Sequence, residues 1–174
     1  MTSQDTFRAL LLVILYVALQ VLFIRNLVFW DVAFCFVYLI PILWLPGDMD
    51  SIWVILISFF IGLFVDMFYN TPGVHASACT LIGFLRKPIL RYFFPSRGVE
   101  NEIHVSLSRL GHQRYFVYIT LITLIHHLVL FFVEAAGLHL FLNTLVKVFA
   151  SLIFTVLVIY LLSLFTSNLS SEKQ

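Results

Sequence analysis

Residues 51–68 read SIWVILISFFIGLFVDMF, an apolar stretch whose single charge, Asp66, arrives almost at its end. It is far longer than a buried strand needs, and its polar and apolar residues do not alternate as they would along a barrel strand. A helix is the remaining form in which such a stretch satisfies its own backbone groups inside lipid. It has no polar face with which to meet water.

The rest of the chain has the same character. Of its 174 residues, 61% are hydrophobic and 11% charged, and the mean hydropathy is +1.03. A soluble domain keeps about a quarter of its residues charged, because its surface must face water. The sequence therefore predicts an all-α integral membrane protein, a single transmembrane domain over 1–174. Six transmembrane helices with short loops are expected, at about 9–24, 32–45, 51–68, 74–93, 115–135 and 142–165. The second is short for a hydrocarbon layer of about 30 Å at about 1.5 Å per residue, and residues 27–30 extend it into the interface. Pro41 and Pro88 predict bends where neighbouring helices cover the freed carbonyls.

The basic residues orient the spans. With the N-terminus inside, Arg8, Arg86, Lys87, Arg91, Arg97, Arg109, Arg114 and Lys173 fall on the cytoplasmic side, and only Arg25 and Lys147 outside. That bias predicts both ends in the cytoplasm. Trp44 and Trp53 then mark the inner boundary and Trp30 the outer one. The run at 9–24 is followed by Arg25 and Asn26 rather than by small residues, so it is expected to stay as a span and not to be cleaved. A net charge of +1 gives no reason to expect nucleic acid. Cys35 and Cys79 sit inside apolar runs and are expected to act as small hydrophobes. The longest connector, 95–114, is expected to be a solvated cytoplasmic loop, and it continues a basic segment (Arg86, Lys87, Arg91, Arg97) that would dock cytoplasmic partners.

Charges at membrane depth need a partner or a cavity. On this topology Asp66, His75, Glu134 and Lys147 form a polar layer near the outer leaflet, with Asp31 and Arg25 beside it, and are expected to close a charge network. Polar side chains also recur at helical spacing: Thr120, Thr123, His127 and Glu134 on the fifth span, and Asn143, Lys147, Ser151 and Thr155 on the sixth. Such stripes mark packing between helices in lipid. His126 and His127 are neighbours in sequence and point about 100° apart on a regular helix, which disfavours a shared metal and favours interhelical hydrogen bonding. No nucleophile elbow, phosphate loop or His-Glu-x-x-His occurs, so no enzyme, metal or cofactor is expected.

The most distinctive stretch is 62–76, GLFVDMFYNTPGVHA. Gly62 offers a small face one turn before Asp66, and the Pro72 and Gly73 pair makes a tight turn before the chain re-enters at His75. Asp66 and His75 then stand on either side of the turn as a polar latch.

This stretch resembles the signature of the rod-shape-determining MreD family, in which a Gly, a carboxylate, a Pro-Gly turn and a His recur at this spacing. Gly62, Asp66, Pro72, Gly73 and His75 match; Tyr69 and Asn70 stand where the family often has a Ser-Gly pair. The length, the basic segment after the fourth span, and LSRLGHQRYF leading into LITLIHHLVLFFVE are also similar to that family. The resemblance implies a non-enzymatic subunit of the bacterial inner membrane, with a fold similar to the substrate-binding subunits of energy-coupling-factor transporters. It implies MreC as partner and, through it, MreB, the glycosyltransferase RodA and its penicillin-binding transpeptidase, which build lateral peptidoglycan and control cell shape. The alternative is a transporter subunit of the energy-coupling-factor type that binds a small molecule or membrane lipid. A scaffold should satisfy its polar layer internally and present a groove of small residues to another helix. A binding subunit should open a cavity lined by Asp66, His75, Glu134 and Lys147.

Overall fold

Two helices joined by a four-residue turn organise the bundle, α3 (Ser51–Tyr69) and α4 (Val74–Phe93). In this computed structural model, which describes residues 3–93, 105–136 and 140–171, they pack so closely that a Cβ on Gly62 would lie 2.6 Å from the Cα of Ala76. Between helices in lipid, association rests largely on van der Waals contact, and small residues allow it. Gly83 repeats the approach at the other end of the pair, where a Cβ would lie 2.7 Å from Ser58 Oγ. The turn itself needs two left-handed residues. Asn70 supplies one at φ 54° and Gly73 the other at φ 86°.

Two further long helices, α6 (His112–Glu134) and α7 (Phe141–Ser171), pack against each other, and α6 also packs on α4. α1 (Ser3–Leu22) leans against α3 from outside. Among the described residues, three helices are long and apolar enough to cross a membrane: α3, α6 and the Phe141–Thr166 part of α7. Their outward faces carry large exposed apolar side chains, among them Trp53, Phe60, Met67, Ile153 and Phe165. An apolar surface of this extent fits lipid and not water. The chain is a mostly helical membrane protein.

The expected second span, 32–45, is not a helix from end to end. The chain leaves α1 through a single 3-10 turn (Ile24–Asn26) and forms a short antiparallel hairpin, β1 (Val28–Phe29) with β2 (Ala33–Phe34). It then passes through Cys35 and Phe36 and a turn at Val37 and Tyr38 into the short α2 (Leu39–Trp44). Val37, Tyr38, Leu39, Ile40, Ile42 and Leu43 expose nothing, so this segment is the core of the bundle. It starts beside Ser151 of α7 and ends where Trp44 meets Tyr115, which in turn bonds Ser163. Twelve helical residues separate Ser151 from Ser163, about 18 Å of depth.

Irregular backbone is tolerated at such depth only where protein supplies its hydrogen bonds. α7 acts here as a third strand. Ser151 Oγ accepts from Phe34 N at 2.9 Å and faces Val32 O at 3.5 Å, while Thr155 Oγ1 accepts from Phe36 N and donates to Phe34 O, both at 3.2 Å. The pitch matches: four helical residues rise about 6 Å and two strand residues about 6.6 Å. The opposite edge is held by α1, where the Gln20 amide donates to Cys35 O at 3.0 Å and accepts from Val37 N at 2.8 Å. Pro41, expected to bend a span, lies in the first turn of α2, where a missing N–H costs little.

The expected solvated connector 95–114 also differs where it is described. Val105, Leu107 and Leu110 are buried, α5 (Leu107–Leu110) packs on α6 and α7, and α6 already begins at His112. Three apolar residues in six positions were enough to pull this part of the connector onto the bundle.

Candidate functional site

Asp66 lies on the last turn of α3, buried to 3% exposure, and its carboxylate faces the first turn of α4. Oδ1 accepts from the His75 backbone N–H at 2.9 Å and from Thr71 Oγ1 at 2.9 Å, and lies 3.0 Å from His75 Nδ1. Oδ2 accepts from Gly73 N at 3.1 Å and from Ala76 N at 2.9 Å. The first N–H groups of a helix have no partner within it and carry its positive end. α4 has no acidic residue in its own first turn. Asp66 supplies that charge from the preceding helix, and the turn at 70–73 is the short path that lets it do so. Each of these latch residues thereby has a mechanical role: Gly62 for the approach, Gly73 for the turn, Asp66 as cap, His75 as partner.

His75 closes the latch from the other side. Its ring lies against Tyr69, with centroids 4.9 Å apart, and near Tyr38 and Phe36 at 5.9 and 6.0 Å. Nε2 is buried and has no hydrogen-bond partner. With all four neighbouring donors on one carboxylate and both side chains enclosed, the pair fixes the geometry of a hairpin.

His126 and His127 both point inward, because α6 is enclosed by α4, α7 and the interior segment. His126 Nε2 lies 2.8 Å from Tyr38 Oη, and His127 Nε2 lies 3.3 Å from Thr155 Oγ1. The expected divergence of the two rings is therefore smaller than a bare helical wheel gives, their Nδ1 atoms being 3.4 Å apart. Among the described residues, no three His, Cys, Asp or Glu side chains gather in a way that would hold a metal ion. Cys35 and Cys79 are free and buried.

The wider polar layer does not close as a charge network. Glu134 is exposed at the end of α6. Lys147 is half-buried with its ammonium 5.9 Å from the Phe34 ring. Arg25 donates to Phe68 O at 2.5 Å and lies 5.0 Å over the Tyr69 ring, and Asp31 is exposed in the hairpin turn. Among the described residues Asp66 and His75 pair, and no ion pair joins Glu134, Lys147, Asp31 and Arg25. The two cations instead take aromatic faces, and Arg25 takes the negative end of α3.

Arg86, expected in a cytoplasmic docking patch, is buried at 2% exposure. Its Nε donates to Tyr118 Oη at 2.9 Å, Nη1 to Pro46 O at 3.2 Å, and Nη2 to Leu43 O at 3.3 Å and to Leu45 O. It closes the carbonyl end of α2, where the backbone leaves the helix and a cation is favoured. Lys87 is half-buried and Arg91 exposed; Arg97 lies outside the described residues.

Gln20, Thr71, Tyr38 and Tyr118 were not picked out from the sequence, although Gln20, the one amide in the run 9–24, carried a signal. On the outside of the α3–α4 pair a groove of about 660 Å³ has a floor of Gly73, Ala76, Ser77 and Thr80 between Phe59 and Phe84. Ser77 Oγ and Thr80 Oγ1 donate back to Val74 O and Ala76 O of their own helix, which leaves the floor apolar. No family model, no curated protein and no solved structure matches the chain.

Proposed function

We propose that the chain is a non-enzymatic, six-span subunit of the bacterial inner membrane, of the MreD kind, that holds MreC and so helps to place lateral peptidoglycan synthesis. The observation that carries this is how the polar interior is used. Asp66, Gln20, Arg86, Ser151 and Thr155 bond the chain's own backbone, Gln20, Arg86 and Thr155 also bond neighbouring side chains, and His75 Nδ1 meets Asp66. A receptor would keep such groups facing a cavity. Here Glu134 and Lys147, the other expected lining residues of an outward site, stand apart from the latch, at the surface and half-buried. A groove floored by small residues on the lipid side is the sort of surface on which another transmembrane helix packs.

The interior segment 32–45 serves as the second crossing in this reading, made of a short strand, a turn and the short helix α2. The bias of basic residues supports a topology with both termini in the cytoplasm. MreB, RodA and its transpeptidase are then reached through MreC and through the cytoplasmic face.

The test is replacement of the chromosomal copy by an Asp66→Ala variant, with cell shape and MreC co-purification read together. Rounded cells and loss of MreC from the purified chain are expected, because the variant removes the cap of α4 and leaves His75 unpaired. Rod-shaped cells with MreC recovered at the normal level would refute the proposal.

A further inference from the structure

We infer that the β1–β2 hairpin is a membrane-surface anchor, whose turn holds Trp30 among the headgroups of a bilayer leaflet with Phe29 against the acyl chains below it. Val32 N donates to Phe29 O at 3.1 Å to close the turn, and its two central residues are both left-handed, Trp30 at φ 51° and Asp31 at φ 56°. Such a turn suits Asn or Asp followed by Gly. Asp31 tolerates it, but tryptophan gains nothing there, and glycine would close the same turn without strain. A bulky residue kept at a costly φ points to a use for its side chain. Packing within the chain is not that use. Trp30 is 90% exposed, more than any other large apolar side chain among the described residues.

The hairpin lies where the spans end. Arg25, just before β1, donates to Phe68 O in the last turn of α3. The Phe34 ring, in β2, lies 5.8 Å from that of Phe131, three residues before α6 ends at Glu134. Both helices are of membrane-crossing length, so their ends mark a bilayer boundary. From Phe34 the chain runs inward along α7, with Phe34 N on Ser151 and Phe36 N on Thr155. The turn, which precedes β2, is therefore on the boundary side. Phe29 meets Phe154 of α7 edge-on at 5.8 Å, next to the exposed Ile153, and so continues the apolar face that α7 turns to lipid. Its other ring neighbour is Trp30, at 6.3 Å. An indole, apolar in its rings and polar at its N–H, takes the headgroup level of a bilayer. Asp31, exposed beside it, suits the wet side of that level. The anchoring rests on the membrane class alone; only its assignment to the outer leaflet rests on the orientation proposed above.

The experiment uses the full chain, labelled with fluorotryptophan and reconstituted in vesicles of phosphatidylethanolamine and phosphatidylglycerol, with the indoles read by fluorine NMR. The chain has three tryptophans, and the signal missing from Trp30→Phe is that of Trp30. Three samples carry a nitroxide on the lipid near the headgroup, a nitroxide at the end of the acyl chain, or a gadolinium chelate in the water. The expected result is loss of the Trp30 signal to the headgroup nitroxide and its survival with the other two. Trp53, 61% exposed in the first turn of α3, shows in the same samples that lipid probes reach an exposed indole. Loss to the gadolinium chelate with survival beside the headgroup nitroxide would overturn the inference, placing the indole in water within reach of an extramembrane protein. Loss to the chain-end nitroxide would place it in the hydrocarbon, and survival in all three samples would place it inside a protein contact. Either of these would overturn the inference as well.

Discussion

Asp66 is a charge that the fold can hold only because it arrives at the unsatisfied end of another helix. Its two oxygens receive three backbone N–H groups and the Thr71 hydroxyl, with the His75 ring at 3.0 Å. Removing one side of a buried pair costs more than the pair itself contributes, since the other side stays desolvated. The two partners are unequal, however. Asp66→Ala strands every donor of the latch and should destabilise the purified protein by about 3–5 kcal/mol. His75→Ala leaves the backbone bonds to Asp66 in place and should cost about 1–3 kcal/mol. Unfolding in mixed micelles by a denaturing detergent measures both, and equal losses would contradict the capping role. This part of the site was legible in the sequence, because a glycine, a carboxylate, a Pro-Gly turn and a histidine lie within fifteen residues. Arg86 was misjudged for the opposite reason. Next to Lys87 it looks like one of a basic pair at a membrane boundary, and only the distant carbonyls of Leu43, Leu45 and Pro46 reveal its role.

At the scale of elements, the interior segment is where local sequence was least informative. Residues 32–45 are as apolar as a span and were expected to form one helix. What selects the broken form, a short strand and a turn before α2, lies far along the chain, in Gln20, Ser151, Thr155, Tyr118 and Arg86, none of which adjoins it in sequence. The polar stripe on α7 was visible, but a polar residue every four positions (Asn143, Lys147, Ser151, Thr155) does not say whether it faces a helix or a strand. Two substitutions test the account. Thr155→Val keeps the shape and leaves Phe36 N–H and Phe34 O unpaired, so it should cost about 1–3 kcal/mol in the same unfolding measurement. Arg86→Lys keeps the charge but lacks the planar fork that reaches Tyr118 and three carbonyls at once, and should fall well short of wild-type stability. Wild-type stability in both would mean that the segment is held by apolar packing alone.

Across the whole molecule, composition decided the class and the close-packed hairpin decided the centre of the fold. The large apolar faces of α3, α6 and α7 fit lipid, while Asp66, Arg86, Gln20, Ser151 and Thr155 turn inward and hydrogen-bond within the protein. Such a body is stiff where its polar groups lie and smooth where its surface lies, which suits a part that holds another membrane protein in place. Function was far less legible than fold, because helix-packing faces in lipid use the same few residue types whatever they bind. The most direct test of the scaffold role is purification of the tagged chain from its native membrane in mild detergent, with co-purifying proteins identified by mass spectrometry. Recovery of MreC together with RodA and its transpeptidase is the predicted result. Recovery of an ATPase and transport module in their absence would contradict it and make this chain a binding subunit.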